Sequence, residues 1–306
     1  MTLQKIKIGT RASRLALWQA EFVATELKKI FPALEIELVH VHTTGDKILD
    51  APLAKIGGKG LFTKELETKL SRGEIDLAVH SLKDVPTDLP EGFQIAAVTK
   101  RAQPFDAFVS EKFSSFAELP EGAIVGTSSL RRAAQLLNRR PDLQIKNLRG
   151  NVDTRLKKLD AGEFDAIILA AAGLERLGHA TRIRELLPEI IPAAGQGALA
   201  IEIRDGDEKI SELVGKLNDK ETFLATSVER EFLREVGGSC QVPVGVFAQI
   251  ENNRLNVRAL ISSLDGKNFV AEKVEIPLYE SRGLGKTLAT TLLDDGGRKI
   301  LDELQT

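Results

Sequence analysis

Ile8-Gly9-Thr10-Arg11-Ala12-Ser13-Arg14 and Ile124-Val125-Gly126-Thr127-Ser128-Ser129-Leu130-Arg131 carry one pattern twice: an apolar strand end, a Gly-Thr turn, a serine and a basic helix start. A second pattern repeats in the same order. Gly73-Glu74-Ile75-Asp76-Leu77-Ala78 and Gly162-Glu163-Phe164-Asp165-Ala166-Ile167 each read as a helix end feeding an apolar strand. Two motifs recurring in order predict two similar α/β domains. In both halves a helix N-terminus follows the Gly-Thr turn, where unpaired backbone N–H groups and the positive dipole end favour anions. Two such ends facing across a cleft would grip a polycarboxylate or a phosphate.

Working outward, residues 5–8 read as a strand, and Leu15, Trp18, Phe22, Leu27 and Ile30 recur at helical spacing up to Pro32. Leu34, Ile36 and Leu38 alternate with Glu35 and Glu37 as a second strand, and 75–80 and 93–98 predict two more. Past Pro192-Ala193-Ala194-Gly195-Gln196-Gly197, residues 198–203 read as a strand and 207–217 as a helix, with the chain returning to the first domain. A long helix over 221–236 leads to the one cysteine, Cys240. Strand alternation over 244–250, 254–262 and 268–276 then precedes a last helix over 284–304. That tail reads as a smaller, mostly antiparallel α+β unit. The expected domains are 1–99 with 198–218, then 100–197, then 219–306.

The chain has 306 residues, 42% hydrophobic and 28% charged, enough for two or three domains with their own cores. Its net charge of -2 supplies no global basic field for nucleic acid. One cysteine excludes an internal disulfide framework and suits a reducing compartment, so the cytoplasm is the expected location. The N-terminal residues show no apolar signal region, and no apolar stretch reaches membrane-spanning length; neither secretion nor a membrane span is expected.

Three features carry chemistry. Val79-His80-Ser81-Leu82-Lys83-Asp84-Val85-Pro86-Thr87 puts a cation and a carboxylate at the end of a strand, where ligands bind in open α/β sheets. The same residues also fit a surface ion pair on a turn. Arg131, Arg132, Arg149, Arg155 and Arg176 gather near strand ends and helix starts of the second half, with Arg11 at the matching turn of the first. Each alone suits a solvated surface, but arginine in the first turn of a helix opposes the dipole and calls for a bound anion. Gly237-Gly238-Ser239-Cys240-Gln241-Val242-Pro243-Val244-Gly245 holds the lone thiol between backbone-permissive glycines, either as an attachment point or as a small buried hydrophobe.

Other chemistries lack their residues. There is no Cys-x-x-Cys, and His40, His42, His80 and His179 form no metal-ligand spacing, so no metal site is expected. Gly57-Gly58-Lys59-Gly60-Leu61-Phe62 lacks the spacing of a P-loop, and no strand is followed by Gly-x-Gly-x-x-Gly; nucleotide binding is not expected. Its glycines and lysines instead suit a lid over an anionic ligand.

Taken in order, the Ile8–Ser13 turn, the Gly57–Phe62 loop, His80-Ser81-Leu82-Lys83-Asp84-Val85-Pro86-Thr87, Gly126-Thr127-Ser128-Ser129-Leu130-Arg131-Arg132, Leu148-Arg149-Gly150-Asn151 and the Cys240 loop resemble the porphobilinogen deaminase (hydroxymethylbilane synthase) family over nearly the whole chain. The resemblance implies two domains built like type II periplasmic solute-binding domains and a third, α+β domain. It implies a transferase of tetrapyrrole biosynthesis that deaminates four porphobilinogen molecules and joins them head to tail. The chain grows on a dipyrromethane cofactor bound as a thioether to Cys240, and linear hydroxymethylbilane is released by hydrolysis. Asp84 is then the catalytic residue. Ser81, Lys83, Thr127, Ser128, Ser129, Arg131, Arg132, Arg149, Arg155, Gln196 and Gly197 are implied cofactor contacts. Arg11, Ser13, Gln19 and Arg176 are implied substrate contacts, and Lys55, Lys59 and Phe62 belong to the lid. The family also implies a monomer without nucleic-acid or membrane partners that hands its product to the next enzyme.

Two rival readings remain on the residues alone. A non-catalytic solute-binding or ligand-sensing module would share the two-domain cleft but has no use for the tail and its cysteine. A thiol hydrolase would need a histidine beside Cys240.

Overall fold

The computed structural model describes residues 4–43, 63–237 and 242–304. The first sheet runs β2-β1-β3-β10-β4 and the second β7-β6-β8-β5-β9. In the first, β1 (Lys5–Arg11), β2 (Glu35–Val41) and β3 (Leu77–Ser81) are parallel; β4 (Phe93–Val98) lies at the far edge. In the second, β5 (Asp106–Val109) is antiparallel to β8 (Ala166–Ala170) and β9 (Glu185–Leu187). The β6 strand (Ile124–Gly126) is parallel to β7 (Gln144–Lys146) and β8. The first sheet is completed by β10 (Leu199–Arg204), antiparallel between β3 and β4. Each sheet thus has three parallel strands, then one antiparallel strand that has just arrived from the other sheet, then an edge strand. The duplication read in the sequence is a duplication of topology.

Its physical basis lies in how the two repeated motifs meet. A Cβ on Gly9 would sit 2.3 Å from the Ile75 side chain, and one on Gly126 would sit 2.8 Å from Phe164. Only glycine leaves room for the apolar residue of the second motif at either place. The acid of that motif then fastens the strand. Asp76 accepts from the Lys7 backbone N–H at 2.7 Å, and Asp165 from that of Ile124 at 2.9 Å.

Helices cover both sheets. They are α1 (Arg14–Ile30), α2 (Lys64–Ser71), α3 (Leu130–Arg139), α4 (Val152–Asp160), α5 (Ala171–Arg176) and α6 (Glu208–Gly215). Ser13 caps α1 by accepting from the Ala16 N–H, and Ser129 caps α3 by accepting from that of Arg132. The apolar stripe of α1, Ala20, Val23 and Leu27, packs with Ile6, Ile8, Leu77 and Ile201 of the sheet below.

The third unit places α7 (Lys220–Glu235), α8 (Leu284–Leu292) and α9 (Arg298–Asp302) against the antiparallel sheet of β11 (Val244–Glu251), β12 (Arg254–Ser262) and β13 (Phe269–Pro277). The single last helix expected over 284–304 is instead two. A π-type turn, Leu293–Gly297, separates them where Gly296 adopts a φ of 114°, a conformation closed to most side chains.

One buried carboxylate ties the three units together. Glu229 of α7, fully buried, accepts from both terminal nitrogens of Arg101 at 2.7 and 3.1 Å, from the Gly195 N–H at 2.6 Å and from the Ala248 N–H at 2.7 Å. Arg101 and Gly195 sit on the two segments that cross between the sheets, and Ala248 is on β11. Four hydrogen bonds offset the desolvation of this charge, which no single partner would.

Candidate active site

The strand ends β1, β3 and β8 and the helix starts of α1 and α4 converge on a cleft of about 460 Å³ between the first two sheets. Its wall brings together Arg11, Ser13, Ser81, Lys83, Asp84, Ser128, Arg132, Arg149, Arg155, Arg176 and Gly197. Eleven residues singled out in the sequence, drawn from positions 11 to 197, therefore share one cavity. Arg14 and Asp153 complete its charged lining. Among the described residues, seven cations and two carboxylates line it.

Thr127, Ser129, Arg131, Gln196 and Gln19 stand outside this wall, and each has a visible job. Asp106, fully buried, lies 2.7 Å from Arg132 Nη2 and 2.8 Å from Arg131 Nη2, and accepts from the Gln196 amide at 2.9 Å. Burial pushes its carboxyl up, but the two guanidiniums outweigh burial and hold it far below the usual range. Arg131 also donates to the Ile191 carbonyl at 2.7 Å, so its side chain braces the crossing segment. Gln196 passes the order on by accepting from Lys83 Nζ at 3.2 Å. Thr127 Oγ1 accepts from the Ser129 N–H, shaping the turn before α3. Gln19 donates to Ser81 Oγ at 2.7 Å from beneath the cleft.

The cleft cations are crowded. Burial lowers the Lys83 ammonium to about 8, with neighbouring Arg132 and Arg131 acting in the same sense and Asp84 opposing. Burial likewise lowers Arg155 to about 10, helped by Arg132 and Arg149, and Arg176 to about 10. Arg155 Nε donates to the Gly150 carbonyl, and Arg176 to that of Gly197 while lying 5.5 Å from the Trp18 ring. The Nε atoms of Arg149 and Arg132 are buried with no hydrogen-bond partner. Buried donors beside depressed cations form a site suited to an anion.

This gives a pH dependence with a definite sign. An anion stabilises charged Lys83, so binding favours the protonated form and weakens once the free protein loses that proton. The affinity for a polycarboxylate probe such as citrate is expected to be flat just below pH 8, where the probe is fully ionised, and to fall as pH rises through about 8. Calorimetric titration across that range should show the fall, and Lys83→Gln should flatten it.

Asp84 stands apart from this cationic wall. It ends the short 3-10 turn Leu82–Asp84 after β3, is exposed to the cleft, and no described side chain hydrogen-bonds its carboxylate. The chain beyond it is held from the third unit. Arg230 of α7 donates to the carbonyls of Val85, Pro86 and Thr87, and Arg234 donates to Thr87 and Asp88. Arg230, Asp106 and Glu229 escaped the sequence reading because each acts on residues far away in the chain. Cys240 and the lid residues Lys55, Lys59 and Phe62 lie outside the described residues.

A family model for "Porphobilinogen deaminase, dipyromethane cofactor binding domain" matches residues 6–212, and one for "Porphobilinogen deaminase, C-terminal domain" matches 223–294. The chain belongs to the porphobilinogen deaminase family. The porphobilinogen deaminase of Chromobacterium violaceum is 53% identical over 98% of this chain and 97% of its own length. That of Geotalea uraniireducens is 50% identical over 99% and 96%. Among solved structures, the methionine-binding protein MetQ is 18% identical over 74% of this chain and 93% of that chain, with a TM-score of 0.45. As a porphobilinogen deaminase the chain is a transferase of tetrapyrrole biosynthesis that acts on porphobilinogen and uses a dipyrromethane cofactor. The cofactor-domain match spans every residue lining the cleft. No described helix is long and apolar enough to cross a membrane.

Proposed function

We propose that the cleft between the first two sheets holds the dipyrromethane and the growing pyrrole chain, with Asp84 at the reacting centre and Cys240 as the tether. The observation that carries this is the seven-to-two excess of cations over carboxylates in the cleft, with buried Arg149 and Arg132 nitrogens lacking partners. Each pyrrole brings an acetate and a propionate, so a chain of them is the polycarboxylate such a wall fits. When bound, the cofactor supplies a free pyrrole α-carbon to which each new unit is joined.

The protein's own groups divide the remaining work. Arg132, Arg149, Arg155, Lys83, Ser81 and Ser128 hold cofactor carboxylates. Arg131, Gln196, Thr127 and Ser129 keep those groups in place, and the Gly197 carbonyl positions Arg176. Arg11, Ser13, Gln19 and Arg176 orient the incoming porphobilinogen. Asp84 accepts from pyrrole N–H groups and stabilises the positive charge that develops there as ammonia leaves and the new bond forms. A carboxylate that no described side chain hydrogen-bonds, on a turn fixed by Arg230, suits that task. Lys55, Lys59 and Phe62 belong to a lid in this reading.

Supporting the tether, α7 precedes Cys240 in the chain and itself grips the segment after Asp84. A tether cysteine must stay a thiol until it is alkylated, which a reducing compartment such as the cytoplasm provides. The domains run 1–99 with 198–218, 100–197 and 219–306. In this reading the protein is a monomer that passes its linear product to the next enzyme. Intact-protein mass spectrometry of freshly prepared active enzyme tests the reading. A mass increased by two linked pyrrole units is expected, and the bare polypeptide mass would refute it.

A further inference from the structure

Below Asp84 the cleft narrows into a chamber of about 60 Å³ lined by Arg11, Gln19, Thr63, His80, Ser81 and Asp84 among others. It shares Arg11, Ser81 and Asp84 with the main cleft. The chemistry differs from the cationic wall outside, because among the described residues Arg11 is the one cation in its lining and the rest of these groups offer acceptors.

His80 is 6% exposed, and its Nε2 lies 2.8 Å from Oε2 of Glu202, which is fully buried on β10. With the carboxylate as acceptor, Nε2 carries the hydrogen and Nδ1 is left with its lone pair. Nδ1 hydrogen-bonds no described residue, and His80 lines the chamber. Gln19 spends its amide N–H on Ser81, leaving Oε1 as an acceptor. Behind the ring, Glu67 of α2 sits close enough to feel Glu202 and His80; burial, the largest influence, pushes its carboxyl up. The charged groups facing His80 are thus Glu202 on β10, Glu67 on α2, Arg11 on β1 and Asp84 on the turn after β3.

A chamber large enough for one or two water-sized groups, lined by acceptors and backed by two acids, matches a small N–H donor of positive charge. We propose that it is the amine subsite of the cleft, taking the ammonium of porphobilinogen's aminomethyl arm on Nδ1 of His80 and Oε1 of Gln19. Deamination breaks the C–N bond with its electron pair going to nitrogen, so neutral ammonia leaves with the three hydrogens the ammonium brought. The subsite orients the arm before that break. His80 must be neutral to accept, and Glu202 fixes the tautomer that can.

This inference rests on the cleft assignment above, and its test separates the two. Using holoenzyme verified by mass, His80→Asn is expected to raise KM for porphobilinogen about tenfold to a hundredfold, the scale of a hydrogen bond to a charged group, with a smaller change in kcat. In the parent enzyme, ammonium chloride should raise KM, while tetramethylammonium chloride at equal ionic strength, too large for the chamber, should not. Unchanged KM in folded His80→Asn holoenzyme would overturn the subsite. Should that variant fail to fold, equal effects of the two salts would do the same. Undiminished turnover in Asp84→Asn would instead remove the cleft assignment itself.

Discussion

Replacing Asp84 with asparagine is expected to lower kcat by about 10²–10³-fold, the usual cost of deleting one preorganised electrostatic partner, while the fold and bound cofactor persist. The structure separates the charge of Asp84 from the geometry of its turn. Val85 donates to the Leu82 carbonyl to close the turn, and Arg230 clamps the next three carbonyls; none of these bonds uses the carboxylate. Asparagine keeps an acceptor oxygen but removes the negative charge that would meet a positively charged pyrrole. A second effect follows from the field of Asp84, which supports the charged states of Lys83 and Arg155. In the variant Lys83 should lose its proton below the parent's value of about 8, so the alkaline fall in polycarboxylate affinity should begin at lower pH. Steady-state turnover, intact mass and titration calorimetry read the three consequences separately. A kcat close to the parent's, with cofactor present, would take Asp84 out of the reacting centre.

The fold was legible where a local pattern has a local cause. Gly9 and Gly126 are glycine because Ile75 and Phe164 press against them, and all four lie inside the repeated motifs. Strands β5, β7 and β9, three or four residues long, carry too few alternations to stand out from loops. The break at Gly296 was written in Asp294-Asp295-Gly296-Gly297, yet apolar periodicity continues across it and hid it. For the cleft, residue type and spacing picked out Lys83, Asp84 and the arginines. They did not distinguish Arg131, committed to Asp106, from Arg149, with its unpartnered Nε. That difference depends on an aspartate 25 positions from Arg131 and on strands that meet only in the folded chain. His80 looked like any histidine in a strand until Glu202, across the sheet, fixed which nitrogen is left as an acceptor.

Cys240→Ser is expected to leave a chain of bare polypeptide mass without turnover. Forming the thioether needs a nucleophile, and a thiolate is accessible near neutral pH whereas an alkoxide is not. The contrast with Asp84→Asn is what gives the pair its power: one variant should keep the primer and lose the chemistry, the other should lose the primer and so have nothing to extend. The apo cleft has a further consequence. Among the described residues its lining sets seven cations against two carboxylates; without the cofactor's acids these repel one another at close range, and burial together with Arg132 and Arg131 keeps Lys83 depressed. The serine variant should therefore melt at a lower temperature than the holoenzyme. It should recover part of that difference in citrate, which binds the native cleft, and less in sodium chloride at equal ionic strength, which only screens it. Equal melting temperatures for variant and holoenzyme would mean that the cationic wall does not hold the cofactor, even if the thioether is real.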